Sequence, residues 1–141
     1  MHLTATALLS ADSRTTAGVL LLTIVAVESG GWFMLRLVRG AQSATNFQKA
    51  FFRAGHAHAG VLVTLALVGT VLADSAKLSG LLGVLGRNGI AAAAVLMSAG
   101  FFLSAIGRDV TKPNRLLVLL YLGIVVLAAG VVSLGVGLLT A

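Results

Sequence analysis

The sequence predicts an all-α integral membrane protein, a single domain of four transmembrane helices. Composition carries the first part of that reading. Of 141 residues, 58% are hydrophobic and only 10% are charged, against about 45–50% and roughly 25% in a soluble domain. The mean hydropathy is +1.04. A soluble chain of this length leaves a large part of its surface exposed and could not hide so much apolar area. The second observation is the distribution of that apolar content. It falls into four separate runs, each near the 20 or so residues that a bilayer core requires.

The first run spans Ala17 to Val38 and is interrupted by Glu28. It follows a mixed polar lead-in, Met1 to Thr16. It is too long for a signal-peptide core and lacks a clear cleavage site, so it reads as a membrane helix. The second runs from Phe51 to Ala73 and contains His56 and His58. The third covers Asn88 to Ile106, rich in small residues at Ala91–Ala94 and at Ser98, Ala99 and Gly100. The fourth, Leu116 to Leu139, carries no charge, and the chain's single proline, Pro113, lies just before it. The connections Arg39–Ala50, Asp74–Arg87 and Gly107–Arg115 are short, so consecutive helices are expected to pack antiparallel. Alternation with period two, the mark of a membrane barrel, is absent.

Gly123, Gly130 and Gly137 recur every seven residues along the fourth helix and share one stripe. Small residues let helix backbones approach closely in lipid, so the stripe reads either as the ordinary glycine enrichment of membrane helices or as a tight contact, within the chain or between subunits. Four helices alone enclose little interior. A buried site is therefore expected at an oligomer interface, and a homotrimer is the expected assembly.

The net charge is +6, with 10 basic and 4 acidic residues. The basic residues sit at the ends of apolar runs, which is a membrane pattern rather than a nucleic-acid one. Arg36, Arg39, Lys49, Arg53, Arg108, Lys112 and Arg115 gather at one end, while Arg14, Lys77 and Arg87 mark the other. The positive-inside rule then places both termini outside the cytoplasm. The absence of cysteine excludes disulfides, thiolate metal sites and thioether-linked haem.

Ionisable groups inside a membrane are costly and are candidates for function. There are three in the runs: Glu28, His56 and His58. Neutral imidazole is the commonest metal ligand. Residues two apart on a helix point about 200° apart, so His56 and His58 cannot grip one metal from one intact helix and must face two different cavities. Gly55 and Gly60 flank the pair and could let a flat group lie against the backbone. Arg53, Arg108 and Arg115 are expected at the same end, where planar guanidinium groups would bind carboxylates or, in the plainer reading, lipid phosphates. Glu28 shares a face with Trp32 and Arg36 at steps of four. It reads as a proton relay, a partner for a histidine, or a protonated carboxyl bonded to a neighbouring helix. It is expected to face the protein interior or an interface.

The stretch His56-Ala57-His58 near the start of a second helix resembles the haem-copper oxidase superfamily, whose catalytic subunit is built like three four-helix units. The resemblance implies haem b, with His56 and His58 as axial ligands to two different haems and Arg53, Arg108 or Arg115 on the propionates. It also implies a trimer and termini inside, with the excess arginines neutralised by propionates. No second histidine cluster could hold copper, so oxygen reduction is not implied. Arg53-Ala54-Gly55-His56 is also similar to a motif of the trimeric membrane proteins of eicosanoid and glutathione metabolism, but the Asn and Glu of that motif are missing. The expected function is haem-based electron transfer in a prokaryotic inner membrane. The alternatives are a proton or metal-ion transporter using Glu28 and the two histidines, and a structural membrane subunit. No catalytic residue is assigned.

Overall fold

The computed structural model describes residues 9–141, so the first half of the polar lead-in, residues 1–8, lies outside it. Four helices follow in order: α1 (Ala11–Val38), α2 (Asn46–Ser75), α3 (Gly80–Ser104) and α4 (Val118–Thr140), the last led in by a 3-10 turn at Arg115–Leu117. All four are long and apolar enough to cross a membrane. Among the described residues there is no strand.

Helices α1 to α3 begin five to eight residues earlier than the apolar runs suggest, and for α1 and α2 capping side chains mark the starts. The Ser10 hydroxyl accepts the Ser13 N–H at the start of α1. Thr45 and Gln48 form a reciprocal capping box at the start of α2, satisfying two backbone donors that the helix leaves free. The polar turns between these caps and the apolar runs are therefore helical too. The expected loop Asp74–Arg87 shrinks to a tight turn around Ala76–Ser79, with Lys77 in the left-handed region at φ 50°.

The four helices do not close evenly around a centre. Helix α3 is the hub, packed extensively on both α2 and α4. Helix α1 lies against α2, barely reaches α3 and does not touch α4. The buried core accordingly runs along the α2–α3–α4 seams, through Leu62, Val63, Ala66, Ile90, Ala94, Met97 and Leu134, and α1 adds Leu20.

The glycine stripe of α4 is spent inside this chain. Gly123, Gly130 and Gly137 are all buried. A Cβ on Gly130 would stand 3.2 Å from the Gly89 Cα, and one on Gly123 would stand 2.9 Å from the Met97 backbone nitrogen. The two helices meet backbone to backbone at Gly89 and Gly130, which is how small residues pay off in lipid. The stripe is thus a tight helix contact within the subunit, and it offers no surface to a second copy.

Both ends are fastened. At one end Asp74 gathers three helices: it accepts the Ser10 N–H at 2.7 Å and Arg87 Nη2 at 3.0 Å. At the other, Gln48 Nε2 donates to the carbonyls of Ala105 and Gly107 at 3.0 and 2.9 Å. The Thr45 hydroxyl donates to the Val110 carbonyl, and Asn114 closes back on the Leu103 carbonyl at 2.9 Å. These bonds hold the α3–α4 connection over the start of α2, about three turns before the histidines.

Candidate functional site

The site is built around the third and fourth turns of α2. The outward stripe of that helix, Arg53, Ala57, Val61 and Thr64, is exposed. One residue to either side of Ala57 stand His56 and His58, both half-buried. They border the uncovered stripe from opposite flanks, as a spacing of two on a helix requires.

His56 lies on the α1 flank. Its ring rests in a notch that Gly30 and Gly31 leave in α1: a Cβ on Gly30 would stand 3.2 Å from His56 Nδ1, and one on Gly31 would stand 3.6 Å from Nε2. A Cβ on Gly30 would require the ring to give by a few tenths of an ångström, whereas one on Gly31 would make ordinary van der Waals contact with it. Sequence reading passed over Gly30-Gly31, although a glycine pair in the middle of a membrane helix signals close approach by a neighbour. Among the described residues, no side chain or carbonyl hydrogen-bonds to either nitrogen of His56.

His58 lies on the α3 flank, its ring centroid 5.0 Å from that of Phe101. Its Nδ1 is 2.8 Å from the Ala54 carbonyl. A carbonyl only accepts, so Nδ1 carries the proton of the neutral ring and Nε2 keeps its lone pair. A bond of this kind, made by the ring nitrogen that does not hold the metal, orients a ligating imidazole and fixes its tautomer.

The glycines expected to flank a flat group divide. The open side of Gly60 meets nothing within 4 Å. Gly55 is different: a Cβ there would stand 2.9 Å from the Phe102 ring and 3.0 Å from the Phe101 Cβ. It seats α3 against α2, and the space beside its backbone is already filled by two phenylalanines. Aromatic packing then roofs the region. Phe52 bridges Phe33 of α1 and Phe102 of α3, at centroid distances of 5.4 and 5.6 Å.

The expected arginines share one end of the molecule and are exposed, but they do not converge on one point. Arg53 donates to the Lys49 carbonyl at 3.2 Å and lines a hollow against Met34, Leu37 and Val38 of α1. Arg108 lines a separate polar hollow of about 430 Å³ between the first and third connections, with Gln42, Gln48 and Asp109. Arg115 opens the 3-10 turn ahead of α4.

Glu28 is exposed on the outer face of α1, as are Trp32 and Arg36. Gly30, two residues on, faces His56, so Glu28 points to the other side of the helix. The chain therefore does not bring Glu28 to either histidine and does not bury it in its own interior. The expected interior position is therefore not met, and Glu28 stands exposed on the chain. Among the described residues no three His, Asp or Glu side chains gather to hold a metal ion.

For haem the donor set fits in part. His58 presents an oriented imidazole with a free nitrogen, His56 a second unpartnered imidazole, and both lie toward the arginine-rich end. Because α2 separates the two rings, one chain cannot place both on a single haem. No family model, curated protein or solved structure matches this chain.

Proposed function

We propose that this chain is a haem b-binding protein of a prokaryotic inner membrane, serving electron transfer, in which His58 of one copy and His56 of the next share a haem at each interface of a homotrimer. The observation that carries the reading is the pair of unspent imidazoles. Nδ1 of His58 is committed to Ala54 and its Nε2 is left free, while His56 has no hydrogen-bond partner among the described residues. Half-buried polar groups without partners are costly in an apolar setting. Two of them flanking an uncovered helix face call for something from outside the chain. Bound there, haem would supply a one-electron carrier. The chain's own residues would orient the ligands and, through Arg53, Arg108 and Arg115, neutralise carboxylate tails at the membrane surface.

The transporter reading needs Glu28 and the histidines along one path. Glu28 faces away from both, so the geometry favours the haem reading. The test is the visible spectrum of protein purified in mild detergent and supplied with haemin. The expected result is a Soret band of bis-imidazole type that is lost or shifted in both His56→Ala and His58→Ala. An unchanged band in either variant ends the shared-ligand scheme, and no band in the wild type ends the haem reading. Mass measurement in the same detergent tests the trimer, and a monodisperse monomer would exclude it.

A further inference from the structure

The chain's excess charge lies at one end. Seven of the ten basic residues stand there against a single acid, Asp109. Arg36 and Arg39 close α1 on the face turned away from His56. Leu35, Arg36 and Arg39 follow Trp32 at steps of three, four and seven, so the four side chains share that face. With Ala41 they line an open hollow of about 340 Å³.

Neither guanidinium is spent within the chain. The last carbonyls of α1 are met by the backbone itself: the Gly40 N–H donates to the Leu37 carbonyl at 3.2 Å and the Ala41 N–H to the Arg36 carbonyl at 3.0 Å, with Gly40 at φ 73°. The helix end therefore does not call on the arginine side chains. Arg87 is paired with Asp74, and Arg53 donates to the Lys49 carbonyl. Among the described residues Arg36 and Arg39 make neither a side-chain hydrogen bond nor an ion pair. No carboxylate lines the hollow. Glu28 shares the face but lies eight residues before Arg36, roughly 12 Å deeper along the helix.

The hollow is thus cationic toward the membrane surface and apolar below. Trp32 is 63% exposed in its apolar half, and tryptophan settles at the headgroup level of a bilayer. We propose that this face of α1 binds an anionic phospholipid, its phosphate held between Arg36 and Arg39 and the top of an acyl chain lying on Trp32 and Leu35. The planar fork of a guanidinium matches phosphate oxygens. A soluble anion would satisfy the arginines but leave the exposed tryptophan and leucine unused, and lipid meets both halves. The site uses no residue of the haem reading.

Trp32 is the chain's only tryptophan, so its fluorescence reports on this site alone. The protein is reconstituted in phosphatidylcholine vesicles in which a rising fraction is replaced by phosphatidylglycerol brominated high on its acyl chains, or by phosphatidylcholine brominated in the same way. The anionic lipid should quench Trp32 at lower mole fraction, with a preference of about fourfold, for two exposed charge contacts each worth about a factor of two. Arg36→Gln combined with Arg39→Gln should abolish the preference and leave quenching by the brominated phosphatidylcholine unchanged. Lys49→Gln combined with Lys112→Gln removes the same charge from the same end and should leave the preference largely intact. Equal quenching by the two lipids in the wild type overturns the proposal. So does a preference that both double variants lose alike, which is the mark of diffuse charge, or one that the arginine variant keeps. Inorganic phosphate that abolishes the preference where chloride of equal ionic strength does not would place a free anion in the hollow and overturn the assignment to lipid.

Discussion

The same substitution, glycine to alanine, should move stability in opposite directions at Gly89 and Gly135. At Gly89 the added Cβ would lie 2.9 Å from the Gly130 Cα, 3.4 Å from its nitrogen and 3.5 Å from the Val126 carbonyl oxygen. Ordinary carbon–carbon contact is about 3.5–4.0 Å, so α3 and α4 must part by roughly half to one ångström. The neighbour is backbone, which cannot swing aside. Overpacking of this kind costs about 1–3 kcal/mol, and the better helix preference of alanine returns only about 1 kcal/mol. The expected net effect is a loss of about 0–2 kcal/mol, centred near 1. At Gly135 nothing lies within 4 Å of the added Cβ. Only the helix preference remains, and the expected change is a gain of about 0.5–1 kcal/mol. The two variants should therefore differ by about 2 kcal/mol, roughly thirtyfold in the unfolding equilibrium. Reversible unfolding in mixed micelles, titrated with a denaturing detergent, measures the difference, and the identical chemical change cancels errors common to both. If Gly89→Ala proves as stable as Gly135→Ala, the backbone contact between α3 and α4 is not the feature that places α4.

Asp74→Ala removes the acceptor for both Ser10 and Arg87, whose side chains meet it while 18% of Arg87 and 9% of Asp74 is exposed. The expected loss is about 1–3 kcal/mol, with faster hydrogen exchange confined to the first turns of α1, since α1 has few other contacts. Gln48→Ala strips the Ala105 carbonyl of its side-chain donor and breaks the capping box. It should cost about 1–2 kcal/mol in the same unfolding assay and raise protease sensitivity between Gly107 and Asn114. Gly30→Leu closes the notch that receives His56. It should perturb the haem spectrum as His56→Ala does, while His58→Ala and Phe101→Ala perturb it from the other flank. Arg53→Ala should weaken haem retention and shift the potential while leaving a Soret band, as spectra and redox titration would show.

The four long apolar helices were legible because lipid imposes a length and a polarity that a sequence displays directly. Four apolar runs separated by short charged segments admit few other solutions. The opposed placement of His56 and His58 was equally legible, since helical geometry alone separates residues two apart. Partners are another matter. Nothing local in Gly123, Gly130 and Gly137 says whether the surface they open meets another copy or α3 of the same chain, and the backbone contact with Gly89 decided it. Gly55 and Gly60 look alike in the sequence, yet one seats two phenylalanines and the other faces open space. The exposed position of Glu28 follows from α1 docking on its Gly30-Gly31 face, a choice made by the shape of His56 across the interface. The open slot between α1 and α3, walled by Thr23 and Val27 on one side and Ala91 on the other, exists because α1 hardly reaches α3. Periodicity and hydropathy determine which segments become helices and how far apart two side chains on one helix must point. Which helix meets which, and through which face, is set by steric fit between segments distant in the chain, and that fit arises only when the helices pack.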